Sequence, residues 1–126
     1  MSHNYQELAS AIGSKVAELR REIPETMKGF GQMSRAAHND GALSNKNKEL
    51  IALAIGIASR CQGCLAFHAK ALVELGCSRG EFLEMLQVAV YMGGGPSLMT
   101  AAEALMAYES FGGQRAVQPE REAAVL

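Results

Sequence analysis

Apolar residues recur at helical spacing along nearly the whole of this 126-residue chain. Leu8, Ile12, Leu19 and Ile23 share one face of a helix expected over about Asn4 to Glu22. Pro24 suits the first turn of a second helix, with Met27, Phe30, Met33 and Ala37 as its apolar stripe. Asn39-Asp40-Gly41 is a stop, and Ser44 or Asn45 can cap a third helix running to about Ala58. Ser59 is the expected cap of a fourth, starting near Cys61 and ending at Gly76, a residue suited to a left-handed C-terminal position. Ser78 and Glu81 have capping-box spacing and open a fifth helix from about Arg79 to Met92. Gly93-Gly94-Gly95 ends it, and Pro96 starts a sixth that reaches about Phe111. Nowhere do β-branched and polar residues alternate for five positions, so no strand is predicted. The pattern predicts an all-α single domain of about six helices over residues 1–112. Residues 113–126, with Pro119 and alternating charges, are expected to form a flexible tail.

Two of these helices are apolar nearly all round. The third reads LIALAIGIA from Leu50, and the fifth reads FLEMLQVAVYM with Glu84 and Gln87 as its polar positions. Such helices must be covered on most sides, which predicts a homo-oligomer; a central position in a compact bundle is the alternative. Composition adds exclusions. At 48% hydrophobic and 20% charged, the chain can build a core, so global disorder is excluded. A net charge of −1 leaves no basic excess to neutralise phosphates, so neither nucleic acid nor an anionic membrane is an expected partner. The longest apolar run, Leu50 to Ala58, is too short to span a bilayer, and MSHNYQELAS has no secretory character. Three cysteines, an odd number, fit the reducing cytoplasm, where thiols serve chemistry or metal.

The chemistry concentrates between Glu49 and His68. Cys61 and Cys64 form a C-x-x-C pair at a helix start, where residues three apart have Cα atoms roughly 5 Å apart. That separation permits a disulfide. Unpaired N–H groups at a helix N-terminus favour thiolate. His68 lies one turn beyond Cys64 on a face continued by Ala71 and Leu75, so thiol and imidazole share a half-buried setting. This is a layout for two-electron redox chemistry. A zinc site is the alternative, with Cys61, Cys64 and His68 joined by Cys77, His38 or a carboxylate, although no second ligand pair exists. Cys77 is expected to pack as a small hydrophobe, the seven methionines as core filler, and Gly93 to Pro96 as a turn; His3 and His38 are assigned nothing. Glu49 can pair with Lys46 at i−3, or, sharing a face with Ala52, Leu53 and Gly56, it can reach inward to a histidine.

Glu49, Cys61, Cys64 and His68, together with AVYMGGGPSLMTAAEAL from Ala89 to Leu105, resemble the alkylhydroperoxidase D-like family of the carboxymuconolactone decarboxylase superfamily. The likeness covers roughly residues 40–111. It implies an all-helical homotrimer or homohexamer and a thiol-dependent peroxidase that needs no bound cofactor or metal. The substrate would be a small hydroperoxide and the reductant a thioredoxin-like, lipoyl or similar thiol donor. Carried over, Cys64 attacks the peroxide and Cys61 is its disulfide partner. His68 relays the proton, and Glu49 orients or reprotonates His68. The sequence departs at Gly63, where the fullest family motif has a histidine. Two other readings remain at this level: a decarboxylase-like enzyme using Glu49 and His68 as base and acid, and a non-catalytic helical oligomer with a redox-sensing or zinc-bound helix end.

Overall fold

A computed structural model describes residues 4–117. Six helices follow in order: α1 (Tyr5–Glu22), α2 (Pro24–His38), α3 (Asn45–Ala58), α4 (Gln62–Glu74), α5 (Arg79–Gly93) and α6 (Gly95–Ser110). No strand occurs among the described residues, as the spacing predicts. Local chemistry explains most boundaries. Asn4 caps α1 by accepting the Glu7 N–H, and Ser44 caps α3 by accepting that of Asn47. Both bonds of the Ser78–Glu81 capping box are present, and Pro24 and Pro96 sit in the first turns of α2 and α6.

The cap of α4 differs from expectation. Ser59 turns back, its hydroxyl donating to Ile55 O at 2.8 Å, and α4 is capped by Cys61 instead. The reason is the α3–α4 turn, in which Arg60 takes a left-handed conformation (φ 55°) and delivers the following residue to the cap. Gly76 takes the left-handed position after α4 as predicted (φ 77°), with the helix proper ending at Glu74.

Helices α3, α4, α6 and α5 pack in a ring, with α3 also meeting α6 across it. Leu53 and Ile57 of α3, Leu65 and Leu72 of α4, and Phe82 of α5 fill the centre, against Ala101, Ala104 and Ala107 on α6. Fully burying each of the larger side chains contributes about 1.5–3 kcal/mol. Phe82 stacks on Tyr108 with ring centroids 4.4 Å apart, and the Tyr108 hydroxyl donates to Cys77 O at 2.8 Å. Helix α1 lies outside the ring on α4 and α6, and α2 bridges α1 and α3. Tyr5 anchors α1. Burial, then the Glu103 carboxylate and its hydrogen bond, push the Tyr5 hydroxyl pKa up to about 12.

The greasy helices are not enclosed. Ile51 and Ile55 on α3 are exposed, as are Val88, Tyr91 (83%) and Met92 (74%) on α5, so a central place in the bundle does not account for them. The α2 stripe is also uncovered: no residue of α2 is buried, and Phe30 and Met33 face outward. The methionines correct the expectation of core filler, since Met33, Met92, Met99 and Met106 are exposed and Met85 is the methionine in the core among the described residues. Past α6, Gln114 is held to the start of α5, its side-chain oxygen accepting from Arg79 N and its carbonyl from Arg79 Nη1, each at 2.9 Å. Residues 118–126 of the expected tail lie outside the described residues.

Candidate active site

The turn that sets Arg60 left-handed is closed by two reversed bonds, Arg60 N–H to Ile57 O and Cys61 N–H to Gly56 O. Cys61 is therefore held where its sulfur meets the free amides of α4, and Sγ accepts the Cys64 N–H at 3.1 Å. Cys61 and Cys64 are joined as a disulfide with Cα atoms 5.2 Å apart, in line with the helical estimate. Gly56 makes room behind the pair. A Cβ there would stand 2.8 Å from the Cβ of Cys64, so the backbone of α3 passes directly against the active helix.

Glu49, two turns before Gly56 on α3, reaches α4. Its Oε1 lies 2.6 Å from His68 Nδ1, and its side chain is 12% exposed against 25% for His68. The competing partner is engaged elsewhere: Lys46 bonds Glu81 Oε2 at 2.7 Å. The two readings of Glu49 are thus separated in favour of the histidine. Cys64 and His68 lie one turn apart on α4, and no hydrogen bond joins them among the described residues; a disulfide sulfur has no proton to share.

His38, assigned nothing from sequence, belongs to this cluster. Its Nε2 is 3.2 Å from Glu49 Oε2, its ring lies 6.3 Å from that of His68 at a 20° interplanar angle, and its Nδ1 donates to Ser34 O at 3.0 Å. That bond fixes the tautomer, because a carbonyl only accepts. The signal available in the sequence was slight: a histidine beside Ala37, at the end of the α2 stripe. The contact crosses the Asn39–Ser44 loop, and spacing says nothing about it.

Gly63 also acquires a setting. A Cβ there would come within 3.2 Å of Ile12 Cδ1 on α1, so α1 occupies the space a side chain at 63 would enter. Cys77 does not join the pair. It is buried between α4 and α5, its thiol donating to Ser78 O at 3.5 Å. Burial pushes that thiol up, the Glu81 carboxylate adds to the rise, and Lys46 opposes it. The cysteine-based zinc set does not assemble here; the potential ligands that converge among the described residues are His38, Glu49 and His68.

The model of the carboxymuconolactone decarboxylase family matches residues 24–107. The chain belongs to that family. A carboxymuconolactone decarboxylase family protein of Legionella pneumophila, solved in its apo form, is 51% identical, with a TM-score of 0.85 over 87% of this chain and 98% of that one. A family protein of Thermotoga maritima, for which a part in the antioxidative response has been suggested, is 30% identical with a TM-score of 0.62 over 75% of this chain and 87% of that one. An uncharacterised protein of Cupriavidus necator is 30% identical over 110 residues, which is 82% of this chain and 97% of the relative. Carboxymuconolactone decarboxylase family membership accords with the single all-helical domain. No helix among the described residues is long and apolar enough to cross a membrane.

Proposed function

We propose that this carboxymuconolactone decarboxylase family protein is a thiol-dependent peroxidase that reduces small hydroperoxides through the Cys61–Cys64 dithiol. The observation that carries the reading is the pair at the start of α4, bonded as a disulfide, with a Glu49–His68 hydrogen bond one turn further along. In the reduced protein the Cys64 thiolate attacks one peroxide oxygen and the O–O bond breaks. The leaving alkoxide takes a proton from His68 and departs as an alcohol, leaving a sulfenic acid on Cys64. The Cys61 thiol attacks that sulfur and gives up its proton to the departing hydroxyl, so that water leaves as the disulfide forms. A dithiol donor of the thioredoxin-like or lipoyl class supplies two electrons and two protons to restore the pair. Glu49 is a positioning residue: it holds His68 Nδ1 and leaves Nε2 for the chemistry. A base-and-acid reading that uses Glu49 and His68 alone leaves the disulfide without a purpose. The suggested antioxidative part of the Thermotoga maritima relative points the same way.

The working unit is a homotrimer or homohexamer in the cytoplasm. Exposed Val88, Tyr91, Met92, Leu98 and Met99 form an apolar area around the α5–α6 end that a single chain leaves wet, and a symmetric partner would cover it. Peroxide consumption by the reduced protein, followed with thioredoxin-like, lipoyl and glutathione donors in turn, tests the activity. Turnover that persists in Cys64→Ser would overturn it. Sedimentation that finds a stable single chain would overturn the assembly.

A further inference from the structure

Glu49 is bracketed by two imidazoles, and the donor count between them is one short. His38 commits its Nδ1–H to Ser34 O, so in the neutral ring Nε2 carries a lone pair. That lone pair faces Glu49 Oε2, itself an acceptor, at 3.2 Å. Two acceptors this close need a cation between them, either a proton or a metal ion. Neither lysine that precedes Glu49 on α3 fills the role, since Lys46 is bonded to Glu81 and Lys48 to Asn39 O.

One ligand atom from each of His38, Glu49 and His68 lies within 4.8 Å of the others. Donor atoms around a tetrahedral zinc stand about 3.4 Å apart, from bonds of about 2.0–2.1 Å. His38 faces Oε2 at 3.2 Å and His68 faces Oε1 at 2.6 Å, so an ion taking the place of the His68 proton, held by one or both oxygens, would draw together ligand atoms that already lie within 4.8 Å. Two imidazoles and a carboxylate, partly open to solvent, form a donor set for a divalent transition ion with water at the fourth position. The His38 N–H to a backbone carbonyl is the outer bond that orients a ligating imidazole.

We propose that His38, Glu49 and His68 form a binding site for a divalent transition ion, with zinc as its probe, and that the bound ion holds the peroxidase off by occupying the Glu49–His68 contact. The inhibitory half rests on the peroxidase reading; the binding half does not. The disulfide form separates them, because the paired cysteines then offer no thiolate and Cys77 is buried.

Zinc is titrated into the oxidised full chain in competition with a chromophoric chelator, and cobalt is used for spectra. One ion per chain, with cobalt bands free of sulfur charge transfer, is the expected result. Affinity should drop by more than about tenfold in His38→Ala and in His68→Ala, each checked for native helicity. No stoichiometric binding, a sulfur charge-transfer band, or unchanged affinity in His38→Ala overturns the site. In the reduced protein, saturating zinc should suppress peroxide turnover and a chelator should restore it, while His38→Ala stays near its own zinc-free rate. Equal zinc sensitivity in His38→Ala would assign inhibition to the thiols and overturn the inhibitory role. An absence of turnover at every zinc level would sink the peroxidase reading and the inhibitory role together, with the binding result standing by itself.

Discussion

Two turns in this protein are built alike and treat sulfur in opposite ways. After α3, Arg60 N–H bonds Ile57 O and Cys61 N–H bonds Gly56 O; after α4, Gly76 N–H bonds Val73 O and Cys77 N–H bonds Leu72 O. Each turn has a left-handed residue followed by a cysteine. At the first turn the cysteine is itself the cap, so its sulfur meets the free amides of α4. At the second, Ser78 caps α5 and the cysteine falls one place earlier, buried, with its sulfur toward a carbonyl and its thiol pushed up. One residue of offset relative to the helix start thus separates a sulfur among donors from a sulfur denied them.

The sharpest way to break this contrast is to remove each sulfur. Cys64→Ser should abolish peroxide turnover, whereas Cys77→Ser should leave it within about twofold, because the Cys77 thiol is buried against Ser78 O and touches neither sulfur of the pair nor His68. In the reduced native protein, iodoacetamide should label Cys61 and Cys64 and spare Cys77, with a rate gap on the order of a hundredfold or more by mass spectrometry.

The raised Cys77 thiol has a stability consequence with a definite sign. Its native form holds the proton to higher pH than the unfolded chain does, so its contribution is complete below the ordinary thiol range. It is lost as pH climbs through the raised value, because the unfolded chain then binds fewer protons. Urea midpoints should therefore fall above about pH 9 in the parent, and fall less in Cys77→Ser.

Smaller effects test the turns themselves. Cys61→Ala and Cys61→Ser lose the disulfide equally, so their difference isolates the cap, and the serine variant should be more stable by about 1 kcal/mol. Arg60→Gly should raise stability by about 0.5–1 kcal/mol by relieving the left-handed strain, and Gly76→Ala should lower it by a similar amount. Equal denaturant midpoints across these pairs would remove the argument that the two turns are equivalent.

How legible each feature was follows from its range along the chain. Helices were readable because caps, prolines and apolar period act within a turn or two: Asn4, Ser44, Ser78 and Pro96 sit where the local chemistry puts them. Ser59 misled because a residue of good capping type is outranked when Arg60 turns left-handed and carries the chain one step further. The Cys61–Cys64 spacing was visible for the same local reason. Glu49 stayed ambiguous until Lys46 proved to be bonded to Glu81, 35 positions away. His38 was invisible because its contact depends on how α2 folds back over α3. The outward stripe of α2 shows the limit of periodicity, which finds an apolar face and not what meets it.

The contact between Gly63 and Ile12 bears on the order in which this site can change. A histidine at 63, as in the fullest family motif, would direct its first side-chain atom at a methyl group 3.2 Å away. Gly63→His alone should push α1 off α4 and lose stability by about 1–3 kcal/mol, whereas Ile12→Ala made first should open a berth for it. The two substitutions should then be non-additive in thermal denaturation, with the pair less costly than the sum. A lineage moving between these two versions of the site would cross more easily through residue 12, on a helix that carries none of the reacting groups. History, in this protein, would have to pass through the scaffold before it could reach the chemistry.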